Sequence, residues 1–160
     1  MKENETLLDK ANQNLNIANT LYETYRYDDE AYLNYVGYHL QQSVELSLKF
    51  CLEINGVEYP KTHDITQLIA LINKSEVDIP LTEYIDDHSE MFSLWESRTR
   101  YILNYRLEEK KVERALTETY RFISCICEEY NLHLDKSYSE ESLEAVSYTH
   151  LRAHETRSNL

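Results

Sequence analysis

A chain of 160 residues has room for one domain around a single packed core. Against 16 Lys and Arg stand 29 Asp and Glu, a formal charge of -13, which excludes broad neutralisation of a nucleic-acid backbone and makes any RNA contact local. With only two glycines and two prolines, neither a G-x-G-x-x-G turn nor a G-x-x-x-x-G-K-[ST] phosphate loop can be written, and scarce turns favour long helices.

From Leu7 the apolar positions Leu8, Ala11, Leu15, Ala18, Leu21, Tyr22 and Tyr25 step by three and four, predicting a helix capped by Thr6. A break at Tyr27-Asp28-Asp29 supplies capping carboxylates for a second helix. Its expected inward stripe is Tyr32, Tyr35, Val36, His39, Ser43, Leu46, Phe50 and Ile54, and Gly56 ends it as the residue after the C-cap. So short a connection makes these helices antiparallel neighbours. After the turn Pro60-Lys61-Thr62-His63, Asp64 and Gln67 read as a capping box for a short third helix with Leu68, Ile69 and Ile72. Pro80 opens a fourth pattern through Leu81, Tyr84, Ile85, His88, Met91, Phe92 and Trp95. The last helix is expected from about Glu108 to Tyr130, with Val112, Ala115, Leu116, Thr119, Phe122, Ile123, Ile126 and Tyr130 inward and Glu108 and Glu109 at its positive end. No strand period, repeat or linker interrupts this series. The expected fold is all-α, an up-and-down bundle of four longer helices plus one short helix, with Leu15, Leu21, Leu46, Phe50, Leu68, Phe92 and Phe122 in one core.

Residues 145–160 read AVSYTHLRAHETRSNL and resemble a translated sequencing-adapter read-through. The expected organisation is therefore a helical domain over residues 1–144 and a non-native or disordered tail over 145–160. His150 and His154 in that tail would mimic half a metal site, and no metal or cofactor is expected. Cys51, Cys125 and Cys127 are odd in number and lack C-x-x-C spacing, which suits a reducing compartment and packing roles. The longest apolar run, Leu68 to Ile72, falls far short of the roughly 18 residues of a membrane helix, and Met1 to Glu5 begins no apolar leader. A cytoplasmic protein without membrane contact is the expectation.

The run Tyr35 to Phe50 contains Gln42-Ser43-Val44-Glu45 and Leu48-Lys49, and Thr62-His63-Asp64-Ile65 follows Gly56. These segments resemble the HEPN domain (higher eukaryotes and prokaryotes nucleotide-binding), whose second helix tends to carry Q-A-V-E and L-K-A before a T-H-D-L turn. Ser97-Arg98-Thr99-Arg100-Tyr101 is similar to the family's S-R-Y-P segment, with Ile102 where Pro is usual. The resemblance spans about residues 7 to 131. It marks Gln42, Glu45, Lys49, His63 and Asp64 as structural signature residues. It also implies a homodimer, formed through a face that includes the fourth and last helices, and metal-independent ribonuclease activity or nucleotide binding.

Active members carry Arg, four to six residues, then His, so that the His moves a proton at the ribose or leaving oxygen while the Arg stabilises the scissile phosphate. Here five residues separate Arg98 from Asn104, and four separate Arg100 from Tyr105, with no His in the window. Asn exchanges no proton near neutral pH. Arg98, Arg100 and Arg106, with Tyr101, Asn104 and Tyr105 between them, form the only dense basic group read from the sequence. They are the candidates for phosphate or nucleotide binding. The plainer alternative pairs Arg98 and Arg100 with Glu96 or with the acidic start of the last helix. Glu45 and Lys49 read as an i, i+4 helix pair contributing a few tenths of a kcal/mol. His39 reads as a packing residue, and His63 as a turn residue bonding backbone. The tyrosines suit a core and a dimer interface better than base stacking. Two readings result: a non-catalytic dimeric module that binds RNA or nucleotide phosphate and a partner, or an active ribonuclease toxin paired with a nucleotidyltransferase antitoxin.

Overall fold

The computed structural model describes residues 5–134, so the 144/145 boundary and the tail lie outside the described residues. Six helices follow one another: α1 (Leu7–Tyr25), α2 (Tyr32–Ile54), α3 (Ile65–Ser75), α4 (Glu83–Asp87), α5 (Ser89–Tyr101) and α6 (Glu109–Tyr130). The described residues contain no strand, and the all-α bundle expected from the sequence is what forms.

Local chemistry sets most helix ends. Thr6 Oγ1 accepts the Asp9 N–H at 3.2 Å while the Asp9 carboxylate accepts the Thr6 N–H at 2.8 Å, a complete capping box. At the end of α2, Gly56 takes φ 70°, and Val57 N–H and Gly56 N–H donate to the Leu52 and Glu53 carbonyls, which is the Schellman closure. Asp64 accepts from the Thr66 and Gln67 N–H groups, but the reciprocal half of the expected box is absent. Thr62 Oγ1 takes the Asp64 N–H instead, at 3.0 Å. At α2 the N-cap is Ala31, with no side-chain cap; the Asp29 carboxylate accepts the Ala31 N–H at 2.9 Å and its carbonyl the Tyr32 N–H at 3.1 Å.

The fourth pattern divides into two helices, giving one more short element than expected. The first begins at Glu83, after Thr82, and not at Pro80. His88 adopts φ -108°, ψ 15°, a backbone conformation that breaks the helical ladder, and its ring nitrogen Nδ1 lies 2.9 Å from the Tyr84 carbonyl, which also accepts the His88 N–H at 3.0 Å.

Helix α2 is the hub, packing on α1, α3, α5 and α6. Ser43 donates to the Ala11 carbonyl at 2.8 Å and His39 meets Asn14 at 2.9 Å, so numbers rise on α2 as they fall on α1 and the pair is antiparallel. The buried apolar side chains on α2 are Leu33, Val36, Leu40, Val44, Leu48, Phe50, Cys51 and Leu52; of the expected stripe Val36, Ser43 and Phe50 are buried, while Tyr32, His39 and Leu46 are half-buried. Tyr35 and Ile54 are exposed, because enclosure by several helices, and not one apolar face, decides what α2 buries. Leu15, Phe50, Leu68, Phe92 and Phe122 are in the core, whereas Leu21 and Leu46 lie half-buried against its edge. On α6 every expected inward residue is buried except Tyr130, which is half-buried with its ring against Phe50.

Candidate functional site

Residues 102–108 connect α5 to α6 and are held from below by α2. Asn34 donates to the Tyr105 carbonyl at 2.6 Å and accepts the Leu107 N–H at 3.3 Å, so a single amide fixes two points of the loop. Leu107 is buried over Gly37, where an added Cβ would stand 2.3 Å from Leu107 Cδ1 and 3.2 Å from the Trp95 ring. Gly37 is therefore needed for close approach, not for an unusual backbone angle. Neither Asn34 nor this role of Gly37 was legible from spacing, since both depend on a contact between distant parts of the chain.

The six candidates divide between two places. In the first, Arg100 pairs with Glu96 across one helical turn, donates through Nε to the Glu96 carbonyl at 3.1 Å, and lies 5.4 Å from the Tyr38 ring centre and 5.1 Å from that of Tyr101. The plainer alternative thus holds for Arg100. Arg98 is exposed, and its side chain makes no hydrogen bond or ion pair among the described residues. Tyr101 is 73% exposed, and Ile102 and Leu103 beside it are exposed as well. In the second place, Tyr105 and Arg106 line a cleft of about 540 Å³ between α4, α5 and the start of α6. Arg106 donates to the Leu103 and Tyr105 carbonyls at 3.3 and 2.9 Å. Asn104 is exposed on the loop between the two places.

The cleft has an apolar floor of Met91, Leu94, Trp95 and Leu107, and a rim carrying Asp87, Glu90 and Glu108 against Arg106 and Lys111, with His88 at one side. The His88 ring stacks on Tyr84, centres 3.9 Å apart. A carbonyl only accepts, so His88 Nδ1 carries the hydrogen and Nε2 is left as the acceptor in the neutral ring. The half-buried Tyr84 hydroxyl has its pKa pushed up to about 12 by desolvation and is a neutral donor.

The basic group extends beyond what the sequence suggested. Residues 98–121 hold seven Lys and Arg against four Glu, a local +3 in a chain of -13. Lys111, Arg114 and Arg121 recur at helical spacing on one face of α6. Arg114 and Arg121 both bind Oε1 of the buried Glu118, at 3.1 and 2.7 Å, and Arg114 lies over the Tyr84 ring. The signal was present as basic residues three, seven and ten positions apart, but the interleaved glutamates concealed it.

The signature residues lie apart from this cleft, and most of them gather around the buried Glu45. Glu45 is buried, and its carboxylate accepts from Lys49 at 2.8 Å, Gln41 at 2.9 Å, His63 Nδ1 at 3.1 Å and, more weakly, Gln42 at 3.5 Å. Gln41, not among the residues the sequence singles out, is fully buried and also donates to the His63 carbonyl at 3.1 Å, thereby locking α2 to the turn before α3. His63 thus acts through a side chain on Glu45, not by bonding backbone as expected. Asp64 additionally meets Ser93 of α5 at 3.1 Å, and its hydrogen bonds, from Thr66 first, hold its carboxyl below the usual range. His39 packs against Asn14 and Tyr38, and burial lowers its pKa. The three cysteines are unpaired, and burial drives the Cys51 thiol up to about 12, which leaves it un-ionised and inert.

Among the described residues no helix is long and apolar enough to cross a membrane, and no three His, Cys, Asp or Glu side chains gather as metal ligands. No curated protein and no solved structure matches the chain. The family model for the HEPN domain matches residues 4–130, the whole span from the α1 cap to the end of α6. With that match on top of the helix order and the Gln-Glu-Lys-His cluster, the chain belongs to the HEPN domain family, a family of nucleotide- and RNA-related modules.

Proposed function

We propose that this HEPN domain is a dimeric, non-catalytic module that binds a phosphate-bearing ligand, RNA or nucleotide, through Arg98, Arg100, Tyr101, Asn104, Tyr105 and Arg106. The observation that carries the reading is the pairing of Arg98, exposed and unpartnered among the described residues, with Asn104 at the position where active relatives hold a proton-transferring His. An arginine of that kind retains its full charge for phosphate, while Asn supplies hydrogen bonds and no acid or base. Loss of a general acid or base costs about 10²- to 10⁴-fold in rate, and ground-state phosphate contacts survive that loss. A two-fold contact through α5 and α6 would bring two copies of Arg98 and Arg100 together. The Arg100–Glu96 pair tempers their repulsion, and a bound anion would remove the rest.

One observation favours a second reading. His88 presents a fixed tautomer in the same cleft as Arg106, so a ribonuclease site built from His88 instead of position 104 would recover the chemistry of a toxin paired with a nucleotidyltransferase antitoxin.

Purified protein assayed with labelled RNA decides between them. Salt-sensitive binding, weakened by Arg98→Ala and Arg100→Ala, with no cleavage by the unmodified chain and a gain of cleavage in Asn104→His, is the expected result. Cleavage by the unmodified chain that disappears in His88→Gln overturns the non-catalytic reading. Binding indifferent to both arginine changes overturns the assignment of the site.

A further inference from the structure

We infer that the ligand is an extended single strand of RNA, not a mononucleotide, and that its backbone follows the α6 face bearing Lys111, Arg114 and Arg121. The inference rests on the RNA-or-nucleotide reading above and extends its site onto α6.

The first argument is reach. From Lys111 to Arg121 the helix rises about 15 Å, more than one phosphate group can span. Arg106 and Lys111 line the same cleft, one from the α5–α6 loop and one from α6, so basic side chains flank it on both sides and the positive face continues from there along α6. It stops where Glu128 returns to that face one turn and more beyond Arg121.

The second argument is preorganisation. Side chains of Arg114 and Arg121 are 57% and 60% exposed, yet each is anchored to one oxygen of Glu118, which is only 4% exposed. The buried carboxylate holds two outward guanidinium groups in place and offsets one of their charges, which leaves a net positive face. The Tyr84 ring beneath Arg114 fixes it further.

The third argument concerns what enters the cleft. Asp87, Glu90 and Glu108 outnumber Arg106 and Lys111 there, so a phosphate is disfavoured inside it. Carboxylates accept hydrogen bonds from ribose hydroxyls and base amino groups, and the floor of Met91, Leu94, Trp95 and Leu107 suits the face of a base. Phosphates on the helix and a nucleoside in the cleft is the arrangement a strand satisfies. The carboxylate rim selects the 2′-hydroxyl and hence RNA over DNA.

The test measures anisotropy of a labelled oligouridylate dodecamer on the full chain across roughly 50–200 mM salt. Lys111→Gln with Arg121→Gln should weaken binding about tenfold and make the log–log salt slope shallower by about 1.4, or about 0.7 for each phosphate no longer neutralised. Lys111→Gln alone, at an exposed side chain whose one ion-pair neighbour is Glu108 at 3.7 Å, should give half that slope change and guards against misfolding of the double variant. Millimolar uridine monophosphate should not displace the dodecamer, and the deoxy dodecamer should bind more weakly. Unchanged affinity and slope in the α6 variants, with weaker binding by Arg98→Ala/Arg100→Ala, overturns the α6 track and leaves the loop site standing. Displacement by the mononucleotide at the dodecamer's own concentration also overturns it. If the unmodified chain binds uridine monophosphate but neither dodecamer, the track falls and the nucleotide half of the reading stands; if it binds none of the three, both fall.

Discussion

The Glu45 carboxylate sits in the interior with one formal counter-charge, Lys49, and further hydrogen-bond donors on two sides. Its spacing to Lys49 is legible in the sequence, and so is the pairing. Its burial is not, because the lid over it is the turn carrying His63, brought there only by the folded chain. That difference changes the energy scale from the few tenths of a kcal/mol of a surface helix pair to that of a buried network. Glu45→Ala is expected to destabilise the fold by about 3–5 kcal/mol in urea titration, since it strands the Lys49 ammonium and the Gln41 amide without their acceptor. A destabilisation below about 1 kcal/mol would mean that water reaches the cluster freely. The same limit explains why Gln41 is not distinguished from Gln42 by sequence: adjacent positions on a helix point about 100° apart, and nothing local says which one faces inward.

Among the elements, those whose ends are set by neighbouring residues were readable: the Thr6 cap of α1, the Gly56 end of α2 and the Asp64 cap of α3 each need only a few consecutive side chains. The split of α4 from α5 was not, because Tyr84, Ile85, His88, Met91, Phe92 and Trp95 keep helical phase across the break. The α5–α6 loop is an element of this second kind. It has no helix or strand of its own and takes its shape from Asn34 and from the notch above Gly37. Gly37→Ala should cost about 1–3 kcal/mol by forcing Leu107 out of that notch. Adding Leu107→Ala should then cost less than it does in the parent chain, because the methyl group fills part of the space vacated. Additive effects in this double-mutant cycle would show that the loop is not seated on Gly37.

At the scale of the whole molecule the charge is uneven. The chain as a whole is strongly acidic, so non-specific attraction to nucleic acid is weak, and the positive surface is concentrated between Arg98 and Arg121. Composition restricts any nucleic-acid contact to a patch, and the three-dimensional arrangement puts Arg106 of the loop and Lys111 of α6 on one cleft. Two such patches facing each other repel, so the proposed dimer should strengthen with phosphate or added salt. Sedimentation at micromolar protein should show a dimer, and a strict monomer under both conditions would exclude a shared cleft. The chain contains one tryptophan, and the fold has put it under the site: Trp95 is 2% exposed, edge-on to Phe92 at 5.4 Å, beneath Gly37 and Leu107, and part of the cleft floor. Its fluorescence is therefore a built-in gauge of this one region. A loop lifting off α2 would wet the indole and shift its emission to the red, whereas a base seated on the floor would quench it with no such shift, so one unlabelled protein distinguishes an opened loop from an occupied cleft.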